Sequence, residues 1–170
     1  GWFALLMLNG VVFASVRLGQ THLAVEATAP SWSRAMLSAG LLNWLLLFAF
    51  ARSFAGPESR RRHDWVPMAI GVGLAGLIVG SDLILTSQAF VRDLGGGESF
   101  VGVKLGPAYL LFPALTTVIG VMGLARLVRA RVWNEQGGVM FVVAFAVCIA
   151  SVIVDIATTV LEVSFPRLTD

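Results

Sequence analysis

The sequence predicts an all-α, polytopic transmembrane helical bundle of about five spans, with its N-terminus inside and its C-terminus outside. Three observations lead there. Of 170 residues, 57% are hydrophobic and only 13% charged, about half the charged share of an ordinary soluble domain, and the mean hydropathy is +0.84. So few polar side chains cannot cover a water-exposed globule. The charges are also missing from five long runs, and turn-forming residues separate those runs. A bilayer core of about 30 Å needs a helix of roughly 20 apolar residues, so the chain is expected to form one integral membrane domain over 1–170.

The spans are placed at about 1–18, 33–55, 66–91, 105–130 and 137–163. The first is short, and residues flanking the second extend it to membrane length. The connections GQTHLAVEATAPSW, FAGPESRRRHDW, RDLGGGESFVGVKLGP and RARVWNEQGG carry the Gly, Pro, Ser and Asn expected between helices. A closed barrel is the other way to cross a bilayer, but its strands would alternate apolar and polar residues over about ten positions. No such alternation stands out, and the run 66–91 is read as one helix. Gly95–Gly97 lacks the strand and helix context of a phosphate loop and reads as a flexible turn.

Orientation follows from basic residues beside the spans. Arg52, Arg60, Arg61, Arg62, Arg126, Arg129 and Arg131 share one side; Arg17, Arg34, Arg92, Lys104 and Arg167 share the other. The triple-arginine cluster lies in a short loop, which makes its side cytoplasmic. Trp32, Trp65 and Trp133 fall at span ends, where interfacial tryptophans belong.

Several function classes fall away. Apart from that cluster the basic residues are scattered, so nucleic acid is not an expected partner. Cys148 has no second cysteine to pair with in the chain. His22 and His63 lie in loops on opposite sides, and no span carries a histidine to ligate a haem. No metal site, no cofactor and no catalytic constellation is expected, and the chain is read as not an enzyme. The expected partners are the lipid bilayer and neighbouring membrane subunits or a second copy.

Acids within spans carry the functional signal. Asp82 lies in the third run and Asp155 and Glu162 in the fifth, where an ionised side chain costs about 3 kcal/mol or more. Ser151, Asp155, Thr158, Thr159 and Glu162 form one stripe at helical spacing, and Ser81, Asp82 and Thr86 continue the pattern on the third span. Asp82 and Asp155 each stand about nine residues from the outer end, so a shared polar cavity is expected, lined by Asp82, Thr86, Ser151, Asp155, Thr158 and Glu162. Pairing of these acids with Arg92, Lys104 or Arg167 as structural contacts is the plainer alternative. Gly76 and Gly80 form a GxxxG pair expected to admit a neighbouring helix. Pro113 is expected to kink the fourth span as a hinge, with Thr116 or Thr117 satisfying freed carbonyls. Asn9 and Asn43 are expected to bond each other or a neighbouring helix.

The stretch GPAYLLFPALTTVIGVMGLARLVRARVWNEQGGVMFVVAFAVCIASVIVDIATTVLEVSFPRL, with THLAVEATAPSW and LLNWLLLFAFARSF before it, resembles the seven-helix N-terminal membrane sensory region of bacterial histidine kinases and related signalling proteins. The likeness is one of layout: an outer Gly-Pro turn, an aromatic helix, an arginine-studded inner loop and a helix ending outside. It covers most of the chain and matches spans two to six of that region. The first and seventh spans, the catalytic histidine box and the nucleotide-binding domain of such kinases have no counterpart in these residues. The resemblance implies a non-catalytic sensory input module in a bacterial inner membrane, in which helices shift about Pro113. The alternative is a structural accessory subunit of a larger redox or photosynthetic membrane complex.

Overall fold

A computed structural model describes residues 2–23, 25–54, 64–95, 98–134 and 138–164, with side chains described within 4–16, 18–19, 25–54, 64–91, 101–132, 134 and 138–154. The elements in order are α1 (Trp2–Leu23), α2 (Ala29–Phe54), α3 (Val66–Gly80), β1 (Leu85–Gly95), β2 (Glu98–Leu105), α4 (Leu111–Arg129), a 3₁₀ turn (Val132–Asn134) and α5 (Gly138–Ser164). The chain is thus mostly helical. Among the described residues two helices, α2 and α4, are long and apolar enough to cross a membrane.

Local sequence sets the helix ends. Pro30, Pro67 and Pro113 sit in the first turns of α2, α3 and α4, where a missing N–H costs no helical hydrogen bond. Arg131 follows α4 at φ 52°, the left-handed conformation that commonly closes a helix. Gly138 opens α5 against the Val132 carbonyl, a spot no Cβ could share.

α2 is the central helix, with α1, α3, α4 and the hairpin packed on it. Two apolar clusters lie along its length. One joins Trp44, Phe48 and Ala51 to Ile119 and Leu127 of α4, Val132, and Phe145 and Ile149 of α5. Trp44 and Phe145 meet edge to face, with centroids 6.4 Å apart, a favoured aromatic geometry. The other joins Ala29 and Leu41 to Leu74 and Ile78 of α3 and to Ile84, Leu85 and Val103 about the hairpin.

The run 66–91 is not one helix, and the chain is not wholly α. α3 stops at Gly80, where the Ser81 hydroxyl donates to the Leu77 carbonyl at 2.7 Å and Ser81 itself is extended. A turn follows over 82–84, and then TSQAFV and ESFVGVKL pair as an antiparallel hairpin, from Leu85↔Leu105 to Gly95↔Glu98. β-branched and aromatic residues favour strands, and the glycines at 95–97 leave only two residues between the paired ends, a common hairpin length. The register breaks between Leu85 and Ala89, where the Thr86 hydroxyl donates to the Lys104 carbonyl at 2.9 Å. This irregularity breaks the alternation that marks a strand in sequence.

Pro113 is not a mid-helix kink either. It is the third residue of α4, so the helix begins around it. The Thr116 hydroxyl donates to the Phe112 and Pro113 carbonyls and that of Thr117 to Pro113, which supports the first turn rather than repairing a break.

Candidate functional site

Charged side chains gather at the two ends of α2. At the hairpin end, Arg34 reaches Asp82 at 2.6 Å, and its guanidinium also lies 3.4 Å from the Val79 carbonyl. Ser87 donates to the same Asp82 oxygen at 2.8 Å. Arg34 therefore closes the C-terminus of α3, where unpaired carbonyls favour a cation, and ties it to α2 and β1. At the other end Asp64, just before α3, is held by Arg126 of α4 and by Arg52 of α2, the latter at 3.3 Å. Arg126 also lies over the Phe48 ring, 5.3 Å from its centroid. Arg126 and Asp64 are about one-tenth exposed, whereas Asp82 is 59% exposed.

The two layers are evenly spaced. Arg34 and Arg52 stand eighteen residues apart on α2, as do Asp64 and Asp82 along the chain, and eighteen residues of helix span about 27 Å. Between the layers, residues 35–51, 65–81 and 105–125 contain no charged residue, nor do 2–16 of α1 or 138–154 of α5. Large apolar side chains face outward in this slab, among them Val12, Val72, Val121, Met140 and Val147.

A cavity of about 240 Å³ lies between the helices. α1 contributes Phe13, α2 Met36, Leu37, Gly40 and Trp44, α5 Val152, the turn before α4 Tyr109, and the start of α4 Phe112, Pro113 and Thr116. Its walls are mainly apolar.

Of the residues singled out from sequence, the described Asp82, Thr86 and Ser151 each sit elsewhere than in a shared cavity. Asp82 sits in the turn after α3, paired with Arg34, and Thr86 sits on β1 and bonds Lys104. Neither is within a helix. Ser151 is exposed, and its hydroxyl donates to the Val147 carbonyl of its own helix; α5 packs instead through Phe145, Ile149 and Val152. Asp155, Thr158 and Glu162 fall on the helical backbone of α5, but their side chains lie outside the described residues. A Cβ at Gly76 or Gly80 would meet nothing within 4 Å, so neither is closely approached by another helix among the described residues. Close approach falls to Gly71 against Leu45, Gly120 against Trp44 and Gly123 against Phe145. Asn9 does bond a neighbouring helix, at the Ala39 carbonyl of α2 at 3.0 Å.

Sequence reasoning missed the Asp64 cluster and the Arg34 contact. The available signal was an acid immediately before a helix N-terminus, with arginines in the last turns of two helices that end on the same side. Among the described residues no three His, Cys, Asp or Glu side chains gather as a metal site. Comparison with protein-family models, with curated proteins and with solved structures gives no match.

Proposed function

We propose that this chain is an integral membrane sensory input module, multi-pass in a cell membrane and non-catalytic. The observation that carries the membrane reading is the charge-free slab of about 27 Å between two ion-pair layers, which matches a hydrocarbon core of about 30 Å. The outward apolar side chains of all five helices suit lipid contact. α3, at 15 residues, covers about 22 Å as helix, and its flanking turns to Asp64 and Asp82 complete the crossing. Five crossings then put the Asp64 end, rich in arginine, inside and the hairpin outside.

The sensory reading is supported by α4. The turn leading into it is joined to the turn that precedes the hairpin, through Ala108 N–H donating to the Leu83 carbonyl at 2.8 Å, and its last turn holds Asp64 through Arg126. The cavity lies beside its first turn. A change at the hairpin or in the cavity thus acts on the same helix that anchors the inner ion cluster. Among the described residues Pro113 opens this helix, so the lever is a whole helix rather than a hinge within one.

The test is the coding sequence that follows residue 170. A further span leading into a kinase, cyclase or other signalling domain is the expected result. An uninterrupted stop there, with stoichiometric copurification in a multisubunit redox or photosynthetic complex, overturns the sensory role in favour of the accessory subunit.

A further inference from the structure

We infer that the cavity between α1, α2, α4 and α5 is a binding site for one acyl chain of a membrane lipid, admitted sideways between α1 and α5. The inference rests on the membrane reading above and names the ligand of that module.

The walls select hydrocarbon. Phe13, Met36, Leu37, Trp44, Phe112 and Val152 offer no hydrogen bond to a ligand apart from the indole N–H of Trp44. Of the two hydroxyl-bearing residues at the wall, Tyr109 and Thr116, the latter already donates to the Phe112 and Pro113 carbonyls. A polar ligand entering here would shed water for few partners, whereas an apolar one loses nothing. An apolar cavity of roughly 150 Å³ already holds a benzene ring, so about 240 Å³ takes a longer segment, on the order of eight methylenes by the same measure.

The way in is lateral. α1 packs chiefly on α2, and α5 on α4 and the turn before it; Trp44, Gly120, Phe145 and Ile149 close the space toward the Asp64 end. The free side lies between α1 and α5, whose outward apolar side chains, among them Val12 and Val147, would meet lipid in a bilayer. An acyl chain is the hydrocarbon at hand there, already aligned along the helices. Gly40 makes room for it: its Cβ position is 3.6 Å from Phe13, an ordinary contact distance, so a larger side chain at position 40 would grow into the cavity rather than into backbone.

The experiment uses the chain in phosphatidylcholine vesicles whose acyl chains are brominated at mid-chain, with Trp44 fluorescence as the probe and Trp44→Phe as the blank. Carbonate washing of the vesicles comes first; release of the protein at that step refutes the membrane reading and is distinct from any quenching result. The expected result is strong quenching of Trp44, reduced severalfold by Gly40→Leu, with Phe145→Leu as a variant that alters the Trp44 surroundings without filling the cavity and keeps the quenching. In detergent, single-chain brominated amphiphiles should bind about fourfold more tightly per added methylene and level off near eight. Quenching unchanged by Gly40→Leu overturns the site, and quenching by a free brominated fatty acid but not by the phospholipid overturns the assignment to a membrane lipid.

Discussion

At Gly120 a side chain has nowhere to go, since its Cβ would stand 2.6 Å from the Trp44 ring and 3.2 Å from Ile149. Gly120→Ala should cost about 1–3 kcal/mol through overpacking. Gly76→Ala, with open space around it, should stabilise by up to about 1 kcal/mol, because alanine holds a helix better than glycine. Unfolding in mixed micelles, followed by circular dichroism, compares them; equal effects would contradict the packing described. The two aspartates differ in the same way. Asp64→Asn leaves the guanidinium of Arg126 one-tenth exposed with its carboxylate gone, a loss of about 3–5 kcal/mol for a buried pair. Asp82→Asn removes a mostly exposed partner of Arg34 and should cost within about 1 kcal/mol. The sequence marked Asp82 because it stands in an apolar run and passed over Asp64 because it follows a basic loop. Burial, which decides the energetics, depends on where α2 and α4 bring Arg52 and Arg126, and no local pattern encodes that.

Among the elements, four of the five helices were legible because long uncharged runs bounded by Gly, Pro and charges leave few alternatives. Their ends were less so: α1 runs to Leu23 and α2 begins at Ala29, beyond the apolar stretches, because polar residues are tolerated in a helix past the packed segment. The hairpin was hidden by its composition. LILTSQAFV reads as the tail of an apolar helix until Ser81 diverts the chain, and the irregular register between Leu85 and Ala89 hides the alternation. What fixes the hairpin in place is its return to the turn after α3. Gly106 N–H donates to the Ile84 carbonyl at 2.9 Å, and a Cβ at Gly106 would strike the Leu83 and Asp82 carbonyls. Gly106→Ala should therefore loosen this junction. Hydrogen exchange should rise at Gly106 and Ala108 while amides in the Trp44, Ile119 and Phe145 cluster stay protected; protection unchanged at both sites would show that the junction does not hold the hairpin.

For the whole molecule the decisive quantity is which end faces which side. On the proposed membrane reading the two ion-pair layers bound a slab that lipid would fill, and the arginines Arg52, Arg126, Arg129 and Arg131 at the Asp64 end would place that end in the cytoplasm by the bias of basic residues in short loops. The hairpin must then lie on the opposite face with the start of α2, since Arg34 and Asp82 meet there. Two exposed polar positions report the ends: Gln88 on β1 and Asn134 after α4. With the exposed Cys148 replaced by alanine, cysteine at position 88 should react with a membrane-impermeant maleimide in intact cells. Cysteine at position 134 should react only after the membrane is opened. The reverse pattern inverts the orientation and leaves the slab standing. Reaction of both from one side places the two ion-pair layers in the same water, which is incompatible with a 27 Å apolar belt between them and removes the basis for lipid in the cavity as well.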